Sequence, residues 1–353
     1  MEYKTIKKKI EGKKILITGN TGFVGSWLST ALYYLGANTI GYSLKKKDKK
    51  FISNHKIFSK KIKTIYGDIN DFKKSSNIIK KFKPEIAIHL ASQPLVLESY
   101  KNIKKTFMTN VIGTVDFFET LQNIKSIKKI IVFTSDKVYQ NLNGEILNEK
   151  SPLGGIDPYS ASKSSQDIVT TSFKSSVYKK NIEFTILRAG NIIGGGDWNK
   201  NRIVPDIFKS IFTKQQIFLR NPNAVRPWQH ILEIVNSFLL ILSKKNTLSN
   251  KPQVFNIAPN LKSNIKVIQL TNLIKKIGGY KKFKIKRKKI SQYESFILKL
   301  SSLNAKKKIN YKPKLNLENS IKLTCEWYNA FYNKKDMFNF TIKQIESYLK
   351  FKK

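Results

Sequence analysis

The chain has few of the residues that build disulfide-bonded or metal-binding proteins. Its 353 residues include one cysteine, Cys325, and three histidines. A single cysteine excludes an intramolecular disulfide framework and fits a reducing compartment, of which the cytoplasm is the simplest example. With so few histidine and cysteine side chains the sequence shows no metal-binding cluster. We expect structural roles for His89 and His230.

Long apolar segments are also lacking. No run of about 18 apolar residues occurs, so a membrane-spanning helix is not expected. The segment from Met1 to Lys9 is polar and basic, without the apolar stretch of a secretory signal. The sequence therefore predicts a protein with no membrane partner.

Acidic residues are scarce: 23 Asp and Glu face 66 Lys and Arg, for a net charge of +43. Such a charge is typical of proteins that bind nucleic acids or anionic membranes. The lysines, however, are spread from Lys4 to Lys353 in short runs, and arginine, the preferred reader of bases, is rare. We interpret the charge as a compositional bias of solvated surfaces and expect no nucleic-acid partner.

The first half of the chain alternates between short apolar runs and helical patterns. A run at 14–18 is followed by a glycine turn and by apolar residues at helical spacing from Trp27 to Leu35. This alternation predicts an α/β fold, with a doubly wound parallel sheet of the Rossmann type. The further predicted strands are 39–43, 64–66, 86–90, 130–134 and 184–187, and helical patterns near 71–82, 102–123 and 159–178 separate several of them.

Glycine and proline become frequent from Ala189 onward, which predicts a second, smaller and less regular lobe. Regular patterns return at 231–243 and 254–257, where the chain is expected to re-enter the first domain. The predicted first domain covers 1–188 with re-entry at 228–257, and the predicted second lobe covers 189–227 and 258–353.

Three glycines, Gly19, Gly22 and Gly25, lie between the first strand and the first helix. Glycine allows a tight turn and close approach of a pyrophosphate, which the helix N-terminus then favours. Their position predicts a dinucleotide-binding site. A plain strand–turn–helix connection is the alternative.

The acidic residue that would bind the ribose of NAD is missing at the end of the second strand, which reads Gly41-Tyr42-Ser43-Leu44-Lys45. Lysines 45–47 could instead receive the additional phosphate of NADP, so the residues leave the choice of cofactor open. Asp68 is better placed to touch the adenine end, although an N-cap or turn role is equally compatible with its position.

Thr134-Ser135-Asp136-Lys137 closes an apolar run and precedes a Tyr159-x-x-x-Lys163 pair. Residues four apart share one helix face. A tyrosine ordinarily titrates near 10, and a neighbouring cation favours its ionised form. The stretch therefore predicts proton chemistry at Tyr159, with an acid and a base beside it.

Together these motifs resemble the extended short-chain dehydrogenase/reductase family and, within it, the CDP-glucose 4,6-dehydratases. The matching segments are T-G-N-T-G-F-V-G-S-W-L (18–28), H-L-A (89–91), S-Q-P-L-V (92–96), T-S-D-K-V-Y (134–139), P-L-G-G-I-D-P-Y-S-A-S-K (152–163), R-A-G-N-I-I-G-G-G-D-W (188–198) and R-N-P-N-A-V-R-P-W-Q-H (220–230).

The resemblance implies an NAD-dependent dehydration of CDP-glucose that feeds deoxysugar synthesis for surface polysaccharide. Tyr159 would take the proton of the 4-hydroxyl while hydride leaves carbon 4, assisted by Ser135 and Lys163. Asp136 would protonate the 6-hydroxyl. Lys137 stands where related enzymes have a glutamate, and is either the base at carbon 5 or a group that orients the substrate or stabilises the enolate. Hydride then returns to carbon 6.

The resemblance also implies the binding residues and a homodimer joined through the helices near 102–123 and 159–178. Gln93 is expected at the hexose, and Trp198 and Trp228 either line the pocket or belong to the core. The expected NAD contacts are Gly19, Thr21, Gly22, Phe23, Val24, Gly25, Asp68, Ile69, Leu90, Ala91, Ser92, Tyr159 and Lys163, and the expected contacts to the rest of the sugar nucleotide are Asn191, Arg202, Arg220 and Arg226.

Two other functions remain open at this stage. A nucleotide-sugar 4-epimerase would use Ser135, Tyr159 and Lys163 but needs no acid–base pair, so Asp136 and Lys137 argue against it. A basic binding protein on the same scaffold would not need this set of residues at all.

Overall fold

The computed structural model describes residues 3–45, 50, 52–140, 144–178, 181–245, 248–280, 285–287 and 296–351. Within these residues the largest sheet has seven parallel strands in the order β7-β6-β5-β4-β1-β2-β3. Its strands are β1 (Lys14–Thr18), β2 (Asn38–Ser43), β3 (Lys63–Tyr66), β4 (Ile86–His89), β5 (Lys129–Phe133), β6 (Glu183–Ala189) and β7 (Gln253–Ile257).

Helices connect the strands and cover the sheet. A 3₁₀ segment at Ile69–Ser75 precedes the fourth helix, a π-helical turn at Met108–Ile112 joins the sixth and seventh helices, and another at Phe173–Val177 ends the eighth. The α-helices of the described residues are α1 (Tyr3–Ile10), α2 (Phe23–Tyr34), α3 (Lys56–Lys61), α4 (Ser76–Phe82), α5 (Val96–Lys101), α6 (Ile103–Phe107), α7 (Gly113–Gln122), α8 (Pro158–Ser172), α9 (Ile203–Phe212), α10 (Ile231–Ser243), α11 (Val267–Ile277), α12 (Leu303–Ile309), α13 (Leu317–Tyr332) and α14 (Met337–Lys350).

The central strands are buried on both faces, as their continuous apolar runs require. One face packs against α1, α2, α10 and the C-terminal helices, with Trp27, Phe238 and Trp327 in its core. The other packs against α4, α7 and α8, with Phe72 and Phe117 in its core. The α/β fold with a doubly wound parallel sheet is thereby confirmed.

The strand order reverses at β1, which lies between β2 and β4. In doubly wound sheets the crevice at the carboxyl ends of the strands beside such a reversal binds ligands. The glycine turn follows β1 directly, so it lies at this crevice.

The remaining short strands of the described residues form two-stranded pairs outside the central sheet. Ile192–Ile193 pairs with Gln229–His230, and Val225–Pro227 pairs with Asn264–Lys266. The segment between 194 and 196 packs against α13: a Cβ at Gly195 would lie 1.9 Å from Cγ of Trp327. Glycine is therefore required there.

β7 lies beside β6 in the central sheet, in the segment where the sequence expects re-entry into the first domain. The domain boundaries themselves stay a prediction. Sequence motifs gave no role for the C-terminal segment, whereas α14 packs against α2 and α10. None of the described helices is long and apolar enough to span a membrane.

Candidate active site

A cavity of about 860 Å³ lies at the carboxyl ends of the central strands and extends into the irregular lobe. Gly19, Leu90, Thr134 and Ala189, at the ends of β1, β4, β5 and β6, contribute to its wall. The lobe contributes residues from the start of α9 and from the segment around Arg226. The volume is in the upper part of the range for ligand pockets.

The glycine turn brings backbone rather than side chains to the cavity. Gly19 has a φ of +73°, and a Cβ there would lie 2.7 Å from the backbone nitrogen of Ala91. A Cβ at Gly25 would lie 2.2 Å from the carbonyl oxygen of Gly19. α2 begins after Gly22, which offers no side-chain cap, so the first N–H groups of the helix remain available to an anion. Gly22, Phe23, Val24 and Gly25 line the cavity.

Thr21 differs from its neighbours in the turn. It does not line the cavity. Its hydroxyl lies 2.6 Å from that of Ser43 and donates to the carbonyl oxygen of Leu44 at 3.0 Å. Thr21 therefore ties the turn to the end of β2, while Ser43 and Leu44 face the cavity in its place.

The wall beyond β3 contains Asp68 and Ile69. Asp68 Oδ1 accepts from the backbone N–H of Asn70 at 3.1 Å and caps the following 3₁₀ segment. Both expectations for Asp68, a capping role and a place on the cavity wall, are compatible with this position. Of the three lysines considered for NADP, Lys45 lies 6.0 Å from the ring centre of Tyr66, and Lys46 and Lys47 fall outside the described residues. Leu90, Ala91 and Ser92 form the wall after β4.

Ser135 and Asp136 follow β5 and are both buried. The Ser135 hydroxyl donates to Asp136 Oδ1 at 2.9 Å and accepts from the backbone N–H of Lys137 at 3.2 Å. Asp136 Oδ2 has no hydrogen-bond partner among the residues that the structure describes, and a Cβ at Gly190 would lie 2.9 Å from it. Burial raises the pKa of Asp136, although the charges of Lys137 and Arg226 and the Ser135 hydrogen bond oppose the rise. The geometry thus presents a carboxyl group with a raised pKa and with one oxygen that has no partner among the described residues.

Tyr159 and Lys163 lie one turn apart on α8. The helix begins with proline in its first turn and with Asp157 as N-cap, whose Oδ1 accepts from the backbone N–H of Ser160 at 3.0 Å. Burial raises the pKa of Tyr159 to about 12, while a hydrogen bond with Ser135 and the charge of Arg202 act in the opposite direction. Tyr159 and Ser135 are therefore brought together, as the sequence predicts.

Lys163 lies against the cavity with its amine turned toward its own helix. Nζ donates to Gln166 Oε1 at 2.7 Å and to the carbonyl oxygen of Phe133 at 3.4 Å. Burial lowers the pKa of Lys163 to about 7, and only the charge of Asp167 opposes this. The sequence expects Lys163 to be the cation beside the phenol, but Ser135 and Arg202 are the groups that lower the pKa of Tyr159 here.

The arginines predicted to bind the sugar nucleotide all reach the cavity, as does Asn191. Arg226 is buried and donates to the carbonyl oxygens of Val225 at 2.9 Å and Phe296 at 3.1 Å. Arg202 Nη1 lies 3.2 Å from Asp197 Oδ2, and Arg220 Nη2 donates to the carbonyl oxygen of Asn201 at 2.6 Å. These bonds hold three cations on one side of the cavity.

Gln93 is placed differently from the expectation, because it does not line the cavity. Its Nε2 donates to the carbonyl oxygen of Leu95 and to the Thr106 hydroxyl, and its Oε1 accepts from the Leu95 N–H. A second amide, Asn110, holds the Gln93 backbone. The Gln93 side chain shapes the loop that carries Ser92 and Pro94 to the cavity.

The aromatic and histidine residues divide as follows. Trp198 and Trp228 line the cavity and also pack against the core. His89 and His230 are buried, and burial lowers the pKa of each to about 3. Neither histidine lines the cavity. Among the described residues, no group of three or more His, Cys, Asp and Glu side chains could hold a metal ion.

Sequence reasoning missed several residues of the site. Asp197 and Gln166 contact predicted site residues directly. Asp197 belongs to a segment quoted above for its resemblance, which is a signal that could have identified it. Gln166 follows Lys163 by three residues, a spacing that puts both side chains on one helix face.

Comparison with known proteins gives one consistent result. The family model described as GDP-mannose 4,6 dehydratase matches residues 16–324. A CDP-glucose 4,6-dehydratase of Salmonella typhimurium (strain LT2) is 33% identical over 347 residues, which cover 96% of this chain and 97% of the relative.

Solved structures of lower identity share the fold. A dTDP-glucose 4,6-dehydratase from Streptomyces venezuelae, crystallised with NAD, is 18% identical and has a TM-score of 0.79, with 92% of this chain and 99% of that chain covered. A UDP-glucose 4-epimerase from Thermotoga maritima, with UDP-glucose, is 24% identical with a TM-score of 0.80, over 90% and 99% of the two chains.

Proposed function

The chain belongs to the GDP-mannose 4,6 dehydratase family, and we propose that it converts CDP-glucose to CDP-4-dehydro-6-deoxy-glucose and water with NAD as cofactor. The observation that carries the proposal is the position of Asp136. Its buried carboxyl group accepts a hydrogen bond from the Ser135 hydroxyl through one oxygen, while the other oxygen has no partner among the described residues. An elimination needs such an acid, and a simple epimerisation does not.

The residues that would hold NAD fit a dinucleotide. The uncapped N-terminus of α2 lines the cavity, and the glycine turn leaves room for the backbone to approach a pyrophosphate. Ser43, Asp68 and Ile69 line the cavity at the ends of β2 and β3, where the adenosine would bind. When bound, NAD would accept a hydride from carbon 4 of the sugar and return it to carbon 6.

In the first step, Tyr159 takes the proton of the 4-hydroxyl. The hydrogen-bonding contact with Ser135 and the positive charge of Arg202 lower the pKa of Tyr159, against the effect of burial. We assign Lys163 in its ammonium form to the same step, in which its positive charge one turn along α8 would also favour the ionised tyrosine.

In the second step, water is eliminated across carbons 5 and 6. Asp136 gives its proton to the 6-hydroxyl, which leaves as water, and Lys137, which must enter this step as the free amine, takes the proton of carbon 5. Lys137 later returns that proton to carbon 5. The proton that Tyr159 has gained balances the one that Asp136 has lost. An alternative role for Lys137 is stabilisation of the enolate without proton transfer.

Arg226, Arg202 and Arg220 bind the diphosphate and the nucleoside, since guanidinium groups bind phosphate oxygens in pairs. Asn191 faces the sugar ring or the phosphates from the end of β6. We assign residues 1–188 and 228–257 to the cofactor and residues 189–227 and 258–353 to the sugar nucleotide. The CDP-glucose 4,6-dehydratase that is 33% identical supports cytidine as the base.

The protein is proposed to be a homodimer. Ile103, Met108 and Ile112 on the helical stretch through α6 and α7, and Ile168 on α8, are exposed apolar side chains on the two stretches predicted to form the interface. A second copy of the chain would cover them. Analytical ultracentrifugation would contradict this assignment if only monomers sediment.

A cytoplasmic location is proposed because Cys325 is a free thiol.

The decisive experiment incubates the protein and NAD separately with CDP-glucose, dTDP-glucose and GDP-mannose and determines product mass. We expect a product lighter by one water from CDP-glucose. A product of unchanged mass but altered configuration would indicate a 4-epimerase instead. Tyr159→Phe serves as control and should lower turnover by about 10²–10⁴-fold, the range for loss of a general base.

A further inference from the structure

A continuous series of hydrogen bonds runs behind Lys163 to the first strand of the sheet. Lys163 Nζ lies 2.7 Å from Gln166 Oε1, and Gln166 Nε2 lies 2.9 Å from the hydroxyl of Thr114. The Thr114 hydroxyl lies 3.1 Å from His89 Nε2, and His89 Nδ1 lies 2.8 Å from the hydroxyl of Thr18. All these side chains are buried. We call Thr18, His89, Thr114 and Gln166 the buried chain.

The direction of the hydrogen bonds in the buried chain is set at the end farthest from Lys163, at Thr18. The Thr18 hydroxyl oxygen accepts from the backbone N–H groups of Leu90 at 3.2 Å and Ala91 at 3.3 Å. Its own hydrogen therefore points to His89 Nδ1. Burial, together with the charge of Lys163, lowers the pKa of His89 to about 3, so the ring is neutral and carries its single proton on Nε2.

The same logic fixes the next two links. The Thr114 hydroxyl donates to the carbonyl oxygen of Asn110 at 2.8 Å, so its oxygen is an acceptor for both His89 Nε2–H and Gln166 Nε2–H. The amide group of Gln166 is thereby committed to Thr114. Its carbonyl oxygen must face Lys163, because the reverse orientation would oppose donor to donor at the lysine.

Lys163 has no carboxylate available as an alternative partner on its own helix. Asp167 is bound in a buried ion pair with Arg188, at 2.7 and 2.8 Å. A neutral acceptor at 2.7 Å stabilises an ammonium group, yet adds no negative charge that would oppose an ionised tyrosine nearby. The titratable groups that interact electrostatically with Lys163 are Asp167 from α8 and His89 from β4, and Tyr159 lies one turn before it on α8.

We propose that Gln166 is a positioning residue of the reaction: its carbonyl oxygen, oriented by the buried chain, holds the Lys163 amine in place and favours its ammonium form. The proposal rests on the proposed function for the role of Lys163. The contact itself and its effect on the lysine can be measured without substrate.

The test is trace acetylation of the full-length protein across pH, with mass spectrometry of the peptide that contains Lys163. Lys163 borders the cavity, and acetylation reports how often its buried amine is both neutral and in contact with the reagent. The variants are Gln166→Leu, which removes the acceptor, and Gln166→Glu, which keeps the shape and adds a charge. Thr170→Val is the matched control. Thr170 is buried one turn further along α8, and its hydroxyl donates to the backbone carbonyl oxygen of Gln166, not to the Gln166 side chain.

We expect the reactivity midpoint of Lys163 to rise by about 1 to 3 pH units in Gln166→Glu, the range for an adjacent opposite charge. In Gln166→Leu the reactivity midpoint of Lys163 should fall. Turnover of CDP-glucose should fall about tenfold, while KM should change less than about twofold. This is the pattern of an interaction that acts on the chemical step. Thr170→Val should lower the unfolding temperature without moving the midpoint.

An unchanged midpoint in both Gln166 variants would overturn the proposal and leave Gln166 as a packing residue only. If Gln166→Leu does not fold, the Gln166→Glu midpoint alone decides. Failure of the wild-type protein to dehydrate CDP-glucose would contradict the proposed function but would not alter the acetylation result, so the two failures are distinguishable.

Discussion

Two buried carboxyl groups in different parts of the molecule have contrasting surroundings. Glu233 lies on α10 beneath the C-terminal segment. Its Oε1 accepts from the backbone N–H groups of Lys314 and Leu315, both at 2.8 Å, and its Oε2 accepts from the Tyr348 hydroxyl at 2.8 Å. Asp136 lies just after the end of β5, and within the described part of the chain only one of its oxygens has a partner.

Burial raises the pKa of both groups, so desolvation alone does not distinguish a catalytic carboxyl group from a structural one. The distinction is in the hydrogen bonds. Glu233 is saturated by its own chain and joins α10 to the C-terminal segment. Asp136 keeps an oxygen for a group that is not part of the protein. Buried polar groups are normally satisfied, and the exception in this comparison lies in the cavity.

The largest expected effect comes from Asp136→Asn. An amide cannot donate a proton to a leaving hydroxyl, so water loss should slow by about 10²–10⁴-fold. Because no hydrogen bond to Oδ2 is lost and the buried position no longer carries a group that can ionise, the unfolding temperature should stay the same or rise. Turnover and thermal unfolding of the same preparation check both parts. A large loss of stability would show that Asp136 is structural like Glu233.

Lys137→Ala probes the base of the elimination. If Lys137 removes the proton of carbon 5, the variant should still oxidise carbon 4, seen as absorbance of reduced nicotinamide, but should stop releasing water. Product mass and absorbance measured together separate the two steps. Continued dehydration would place the base elsewhere in the site.

Glu233→Ala tests the structural half of the comparison. It leaves two buried N–H groups and a tyrosine hydroxyl without their acceptor, so the free energy of unfolding should fall by about 3 kcal/mol, or roughly 1 kcal/mol for each bond. Turnover per folded molecule should not change. Glu326→Ala, at an exposed position on α13, is the control and should shift stability by less than about 0.5 kcal/mol. Denaturant titrations provide the measurement.

The smallest effect is a pH dependence of stability. Burial raises the pKa of Glu233 from 4.5 to about 6, so between these values the folded protein holds a proton that the unfolded chain has released. The contribution is fully present below about pH 4.5 and is lost as the pH rises through 6, a change of about 2 kcal/mol.

Glu233→Gln has no proton to lose at this position and should lack that decrease. The difference between the wild-type and Glu233→Gln unfolding free energies, measured from pH 4 to pH 7.5, isolates the effect from all other titrations. Parallel curves for the two proteins would contradict the assignment.

The sequence by itself determined the sheet and the order of the reactive groups. Short apolar runs flanked by glycine and polar residues predict the central strands. A strand that is buried on both faces needs apolar residues at consecutive positions, and such a run can be read from a short segment of the sequence. The positions of Gly19, Ser135 and Asp136 follow from this pattern, since Gly19 comes after the first of these strands and Ser135 and Asp136 come just after the fifth. The spacing of Tyr159 and Lys163 places both on one face of α8.

The tertiary structure decided where the side chains of these segments point. Gln93 and Thr21 turn away from the cavity because partners from other segments, Thr106 and Ser43, bond them. Lys163 turns toward Gln166 because the buried chain from β1, β4 and α7 presents an acceptor there. Hydrogen-bond direction depends on groups far apart in the chain, and no local pattern records which of them will meet. The sequence therefore placed Asp136 beside Ser135, and only the packed structure left one of its oxygens free.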